Sequence, residues 1–206
     1  PITIDSSYQC IPVIERTYAS DFIYRVSVAF PIDHSAWEAV VRKEQALGHS
    51  FNYFFKITSE ADYQVAEQLI ETYPIGNYQL DPVYTGQNLD FFQENIFLTH
   101  EDMFASSLSM KELFRKRTIN QNDFGKLRIL PNGDIRANLH HPVLGNITTC
   151  SIYEIIQKEI KEGKSWLRIR NQSPCNTCLY RDLCPSPSDY ELEIGYPNLC
   201  WISKHH

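Results

Sequence analysis

Long apolar runs are missing from this chain. No stretch approaches the roughly 18 consecutive apolar residues of a membrane-spanning helix, and the N-terminus carries no secretion signal. These absences predict a cytoplasmic protein with no membrane partner. Positive charge is also scarce: 19 Lys and Arg face 25 Asp and Glu, for a net charge of −6. That balance gives no electrostatic basis for a nucleic-acid partner, whose phosphates demand clustered cations. The one basic cluster, Arg115-Lys116-Arg117, ends a predicted helix, where cations complement the helix dipole. No glycine-rich phosphate loop occurs. The first residue is Pro1, not Met, which reads as a processed or trimmed piece of a longer protein.

Cysteine is absent from residues 11–149 and then crowds the C-terminus. Cys10 and Cys150 stand alone, whereas Cys175, Cys178, Cys184 and Cys200 form a run with spacing x2, x5 and x15. Disulfide frameworks belong to small secreted chains that cannot build a core. Here 206 residues, 43% of them hydrophobic and including 11 Phe, 12 Tyr and 3 Trp, can build one. The crowding therefore points to a single four-thiolate metal site, with two disulfides or free thiols as the remaining reading. Two cysteines separated by two residues reach one centre from a tight loop, and two later ones close it. Zinc and iron–sulfur clusters both accept four thiolates, so the spacing leaves the choice open. Cys150, at a predicted helix start, reads as a packing residue. His140-His141-Pro142 reads as a solvated loop, because no Cys or carboxylate partner sits at metal spacing.

Alternating patterns organise the first half. Residues 22–30, 50–58 and 77–84 are rich in β-branched and aromatic side chains and read as strands. Amphipathic stretches follow each one. The first carries Trp37, Val40, Val41 and Leu47 up to a stop at Gly48, the second Val65, Leu69 and Ile70, and the third covers about 89–98. Such βα units imply a parallel sheet with covering helices, either a small open layer or half of a longer barrel. Three parallel strands bury little, so a preceding segment is expected to complete the sheet. Asp81 and Asp90 fall near the end of the third strand, where barrels place binding groups and where N-caps also occur.

The pattern changes near residue 118, giving expected domains 1–117 and 118–206. Residues 110–117 read as a helix. Residues 124–136 read as a hairpin turning at Pro131-Asn132-Gly133-Asp134, since Asn-Gly tolerates the positive φ of a tight turn. Residues 143–147 read as a link into a helix over 151–161, with Ile152, Ile155, Ile156 and Ile160 at helical spacing and a stop at Gly163. Beyond about 171 the chain is rich in proline and reads as loop.

Three segments in this order resemble a SPASM domain, the auxiliary-cluster domain of radical SAM peptide maturases: the Gly125–Arg136 hairpin, Leu144-Gly145-Asn146-Ile147 with its helix, and the four-cysteine run. The resemblance covers residues 124–201. It implies that Cys175, Cys178, Cys184 and Cys200 hold one auxiliary 4Fe–4S cluster, with zinc as the alternative. The family's second auxiliary cluster lacks its ligands here, because Asn138, Ser188 and the neighbourhood of Asp123 replace cysteines. The Cys-x3-Cys-x2-Cys triplet of the catalytic cluster is also absent, and the three βα units look like the second half of the family's partial barrel. The resemblance implies an α/β protein: a half β/α barrel over 1–117 and a SPASM-like hairpin, helix and loop domain over 118–206. Its implied role is accessory, presenting a surface to a peptide substrate or a partner radical SAM maturase in bacterial peptide maturation. The alternatives are the C-terminal portion of an active maturase, or a zinc-stapled interaction module.

Overall fold

A computed structural model describes residues 2–7, 22–47, 51–105 and 107–201 of the chain. It is a mixed α/β protein that divides into two compact units, Pro1–Glu94 and Asn95–His206. Cys10, Gly48 and Ser50 lie outside the described residues.

The first unit is built on a parallel sheet. Strands β1 (Ile2–Ser7), β2 (Phe22–Ala29), β3 (Asn52–Ile57) and β4 (Asn77–Pro82) pair in sequence order. Helix α1 (His34–Leu47) connects β2 to β3, and α2 (Glu60–Thr72) connects β3 to β4. Alternation decides which side packs. Val26, Val28, Tyr53, Phe55 and Ile57 point to one face and are buried with Trp37, Val40 and Val41 of α1 and Ala66 and Leu69 of α2. Trp37 sits over the sheet aromatics, 5.4 Å from Tyr53 and 6.1 Å from Phe55 between ring centroids. The opposite face carries Arg25 and Ala29 on β2, Phe54 and Lys56 on β3, and Gln79 and Asp81 in register with them on β4. Arg25, Ala29, Lys56 and Gln79 are exposed there, and the Arg25 guanidinium lies 4.1 Å above the Phe54 ring. Parallel sheets normally have both faces covered, yet four side chains of this face are exposed.

Polar side chains fix the ends of these elements. Ser59 caps α2 by accepting from the Asp62 N–H. The Asn88 side chain donates to the carbonyls of Thr58 and Val83 and so ties together the segments after β3 and β4. Asn88 precedes α3 (Leu89–Asn95), and Asp90 lies exposed in its first turn. Strand β1 was not legible in the sequence. Its second half, Asp5-Ser6-Ser7, is polar.

The second unit begins with two short helices, α4 (His100–Phe104) and α5 (Met110–Thr118). Each starts with a reciprocal capping box, Thr99 with Asp102 and Ser109 with Glu112. A three-stranded antiparallel sheet follows: β5 (Arg128–Ile129), β6 (Asp134–Arg136) and β7 (Gly145–Asn146). The hairpin turns at Gly133, whose φ of 85° requires glycine. Residues 145–146 are therefore a third strand and not merely a link. Helix α6 (Ile152–Glu162) starts at the Ser151–Glu154 capping box and ends at left-handed Gly163.

Ile135, Ala137, Leu144, Ile155 and Trp166 form this unit's core, with Cys150 packed against it. Glu159 is almost fully buried there, yet its carboxylate accepts from the Ser165 and Trp166 N–H groups at 2.8 Å each. Helix α7 (Asp189–Ile194) interrupts the region read as loop and ends at Gly195. The change of sequence pattern near residue 118 falls inside this unit, because α5 is tied to the cysteine-bearing loops. Lys116 Nζ donates to the Leu183 carbonyl at 2.7 Å, and Arg117 pairs with Asp182.

Candidate metal centre

The loops after α6 bring the clustered cysteines together. Cys175 opens a short 3-10 turn (Cys175–Thr177), and the Cys178 N–H returns to the Cys175 carbonyl at 3.1 Å, so the x2 spacing closes one tight loop. A second turn carries the Cys184 N–H back to the Tyr180 carbonyl. Cys200 arrives from the far end of the chain, held beside Leu98 by a bridge in which Leu98 N–H donates to the Leu199 carbonyl and Trp201 N–H to the Leu98 carbonyl. Phe97 locks this strap, its ring 6.0 Å from Trp201 and 6.3 Å from Tyr196.

Cys175, Cys178, Cys184 and Cys200 line one small cavity of about 30 Å³, with Leu98, Leu199 and Pro174 on its apolar walls. All four are free thiols. Cys184 is the most buried, and its Sγ lies 3.5 Å from the Met103 sulfur of α4. Burial pushes the Cys184 thiol up to about 11, and neighbouring Cys200, Cys178 and Cys175 add to the rise while Arg170 opposes it. The Asn198 side-chain N–H donates to Cys175 Sγ at 3.7 Å. Among the described residues, no three His, Cys, Asp or Glu side chains are grouped so as to hold a metal ion as they stand.

The donor chemistry fits a thiolate-bound metal group. Four thiols share a mainly apolar cavity, an amide N–H is aimed at one sulfur, and cations stand alongside to offset thiolate charge. Arg170 and Arg181 line the same cavity. Burial works against the Arg170 charge, but the Glu191 carboxylate and the Cys184 and Cys175 sulfurs more than compensate and hold its pKa above the ordinary value. Burial lowers the Lys116 pKa, with Cys184 acting in the opposite sense.

Asn138, Asp123 and the neighbour of Ser188 also meet. The Asn138 amide donates to both oxygens of buried Asp123, at 3.2 and 3.1 Å, and to Asp189, the neighbour of Ser188. Arg168 lies 3.7 Å from Asp123 and 3.9 Å from Asp189 and donates to the carbonyls of Pro187 and Ser188. Burial raises the Asp123 carboxyl above the usual range, and the Asn138 hydrogen bond opposes that rise. The cluster satisfies most of its own polar groups, but the buried Arg168 Nε has no hydrogen-bond partner.

The spacing of the four cysteines is legible in the sequence, whereas their surroundings are not. Arg170, Asn198 and Met103 gave no signal, because their roles depend on contacts 23 to 81 residues away for Asn198 and Met103. The basic run at the end of α5 does more than complement the helix dipole, because two of its side chains reach the cysteine loop. His141 is half-buried, not solvated. Its Nδ1 lies 2.7 Å from Ser165 Oγ, and burial lowers its pKa. His140 is exposed. No described helix is long and apolar enough to cross a membrane. Comparison with protein-family models, with curated proteins and with solved structures finds no match to this chain.

Proposed function

We propose that this chain is an accessory protein of peptide maturation, related to the SPASM-containing radical SAM maturases but lacking their catalytic triplet. Cys175, Cys178, Cys184 and Cys200 hold one auxiliary 4Fe–4S cluster. The observation that carries this reading is the sharing of one cavity by four thiols that come from separate turns and from opposite ends of residues 175–200. A cluster bound through four thiolates leaves no open iron, so it supplies cross-linking of the loops and electron transfer. The protein's own contribution is to exclude water with Leu98 and Leu199, to donate to sulfur from Asn198, and to offset charge with Arg170.

The first unit supports the scaffold role. Its four-stranded parallel sheet carries exposed Arg25, Lys56 and Gln79 on one face, as half of a β/α barrel would on its inner side. That face, or the second unit's cavities, would present to a peptide substrate or a partner radical SAM maturase.

The test is iron, sulfide and zinc content with a visible spectrum on anaerobically prepared protein. About four irons and four sulfides per chain, with a broad brown absorption, is the expected outcome. One zinc and no colour would replace the cluster with a structural zinc site and remove the redox role.

A further inference from the structure

An acidic protein has little reason to gather cations, yet this one does so beside its cysteines. A cleft of about 330 Å³ is lined by Lys116 and Arg117 from the end of α5, by Arg170, and by Arg181 from the cysteine loop. Asp182 is the only carboxylate in that lining. The chain as a whole carries −6, so this local excess is a built feature and not an overflow of basic composition.

Arg170 is committed to the Pro185 carbonyl and the Glu191 carboxylate, but the other three cations of this cleft keep most of their donors. Arg117 and Arg181 share the single Asp182 carboxylate, Arg117 through Nη2 and Arg181 through Nε. A guanidinium has five N–H donors, so both forks retain most of theirs. Lys116 spends one donor on the Leu183 carbonyl. Asp182 itself demonstrates that a carboxylate fits between these two guanidiniums, and each of them matches a carboxylate or phosphate fork-to-fork.

A neighbouring cavity identifies the ligand more narrowly. Ile169, Arg170 and Asn171 line this cleft and also a larger cavity of about 440 Å³, whose walls include Leu167 and Leu192. That cavity is mixed, its apolar side chains standing beside polar ones such as His141, Gln172 and Glu162, and a bare phosphate would not reach the apolar part. A peptide with acidic and apolar side chains would use both. We propose that Lys116, Arg117 and Arg181 of this cleft bind the carboxylates of an acidic peptide segment, whose apolar side chains reach Leu167 and Leu192 of the adjoining cavity. The peptide as occupant rests on the scaffold reading above, whereas the cleft does not depend on the cluster.

The experiment is fluorescence anisotropy with a labelled peptide of alternating Glu and Leu, compared with its Gln-for-Glu counterpart. It uses the full chain, with iron content measured on the same sample. The Glu peptide is expected to bind, and both the Gln peptide and the Arg117→Gln/Arg181→Gln variant are expected to weaken binding at least about tenfold. These two side chains are 57% and 40% exposed, so their replacement leaves the core alone. The single Arg117→Gln variant, with a smaller loss, serves if the double variant melts early. No binding, equal affinity for the two peptides, or an unchanged affinity in the variants overturns the proposal. Displacement of the peptide by inorganic phosphate at concentrations where acetate has no effect also overturns it, in favour of a phosphoryl ligand. Peptide binding without iron would sink the cluster reading alone, and iron without peptide binding would sink this one alone.

Discussion

Arg170 and Glu191 form an ion pair inside the second unit, with Arg170 Nη2 2.8 Å from Glu191 Oε1 and only 7% and 6% of the two side chains exposed. Arg170 also donates from Nε to the Pro185 carbonyl and lines the thiol cavity and both larger clefts. Removing one partner of a buried pair strands the other charge. Arg170→Met is therefore expected to cost about 3–5 kcal/mol in urea unfolding. The Arg170→Met/Glu191→Met double variant is expected to cost less than Arg170→Met alone. A double variant as unstable as the sum of its singles would show that the pair is not coupled.

The four cysteines are expected to act as one site. Cys178→Ala should lose bound iron and lower the unfolding temperature by more than Ile155→Val, a modest core truncation, because one missing thiolate compromises every bond to the group. Cys150→Ala should leave iron content unchanged, since Cys150 packs against the Ile135 core instead. Iron retained in Cys178→Ala would remove this cysteine from the site.

Thiol reactivity gives a separate check on the metal-free protein. Cys184 is 8% exposed and its thiol is pushed up to about 11, and a buried, protonated thiol is a poor nucleophile. Timed alkylation at pH 8, followed by peptide mass mapping, should find Cys184 slower than Cys175, Cys178 and Cys200.

Gly145 tests the packing that supports this half of the chain. A Cβ there would lie 2.5 Å from the Ile155 Cδ1 and 2.8 Å from the Cys150 sulfur. Gly145→Ala is expected to destabilise by about 1–3 kcal/mol through overpacking. Adding Cys150→Ala should recover part of that loss, which a double-mutant cycle by chemical denaturation would measure.

Helix α5 has no buried residue of its own, so its cap carries unusual weight. The Glu112 carboxylate accepts from the Ser109 hydroxyl and backbone N–H, and both bonds hold its pKa below the model-peptide value of 4.5. A depressed carboxylate contributes stability above its unfolded pKa and loses it as pH falls through the folded value. Ser109→Ala should thus lower stability at pH 7, and the difference from wild type should shrink as pH falls well below 4.5.

The sequence by itself determined the α/β class, strands β2 to β4 with their intervening helices, the Gly133 hairpin, α6 to within a residue at each end, and the closeness of Cys175, Cys178 and Cys184. Each rests on local physics: alternation with period two, helical spacing, a turn that needs glycine, and ligand spacing within one loop. Strand β7 and helices α4 and α7 escaped because they are short and owe their form to neighbours rather than to propensity, and β1 because half of it is polar. Only the tertiary structure decided what surrounds the thiols. Cys200 reaches the cavity because Leu98 straps the C-terminal segment, Met103 covers Cys184, and Arg170 stays charged in the interior because Glu191 meets it there. Those contacts join residues far apart in the chain. Pattern reading carries no information about such pairs, whereas burial and hydrogen-bond geometry do.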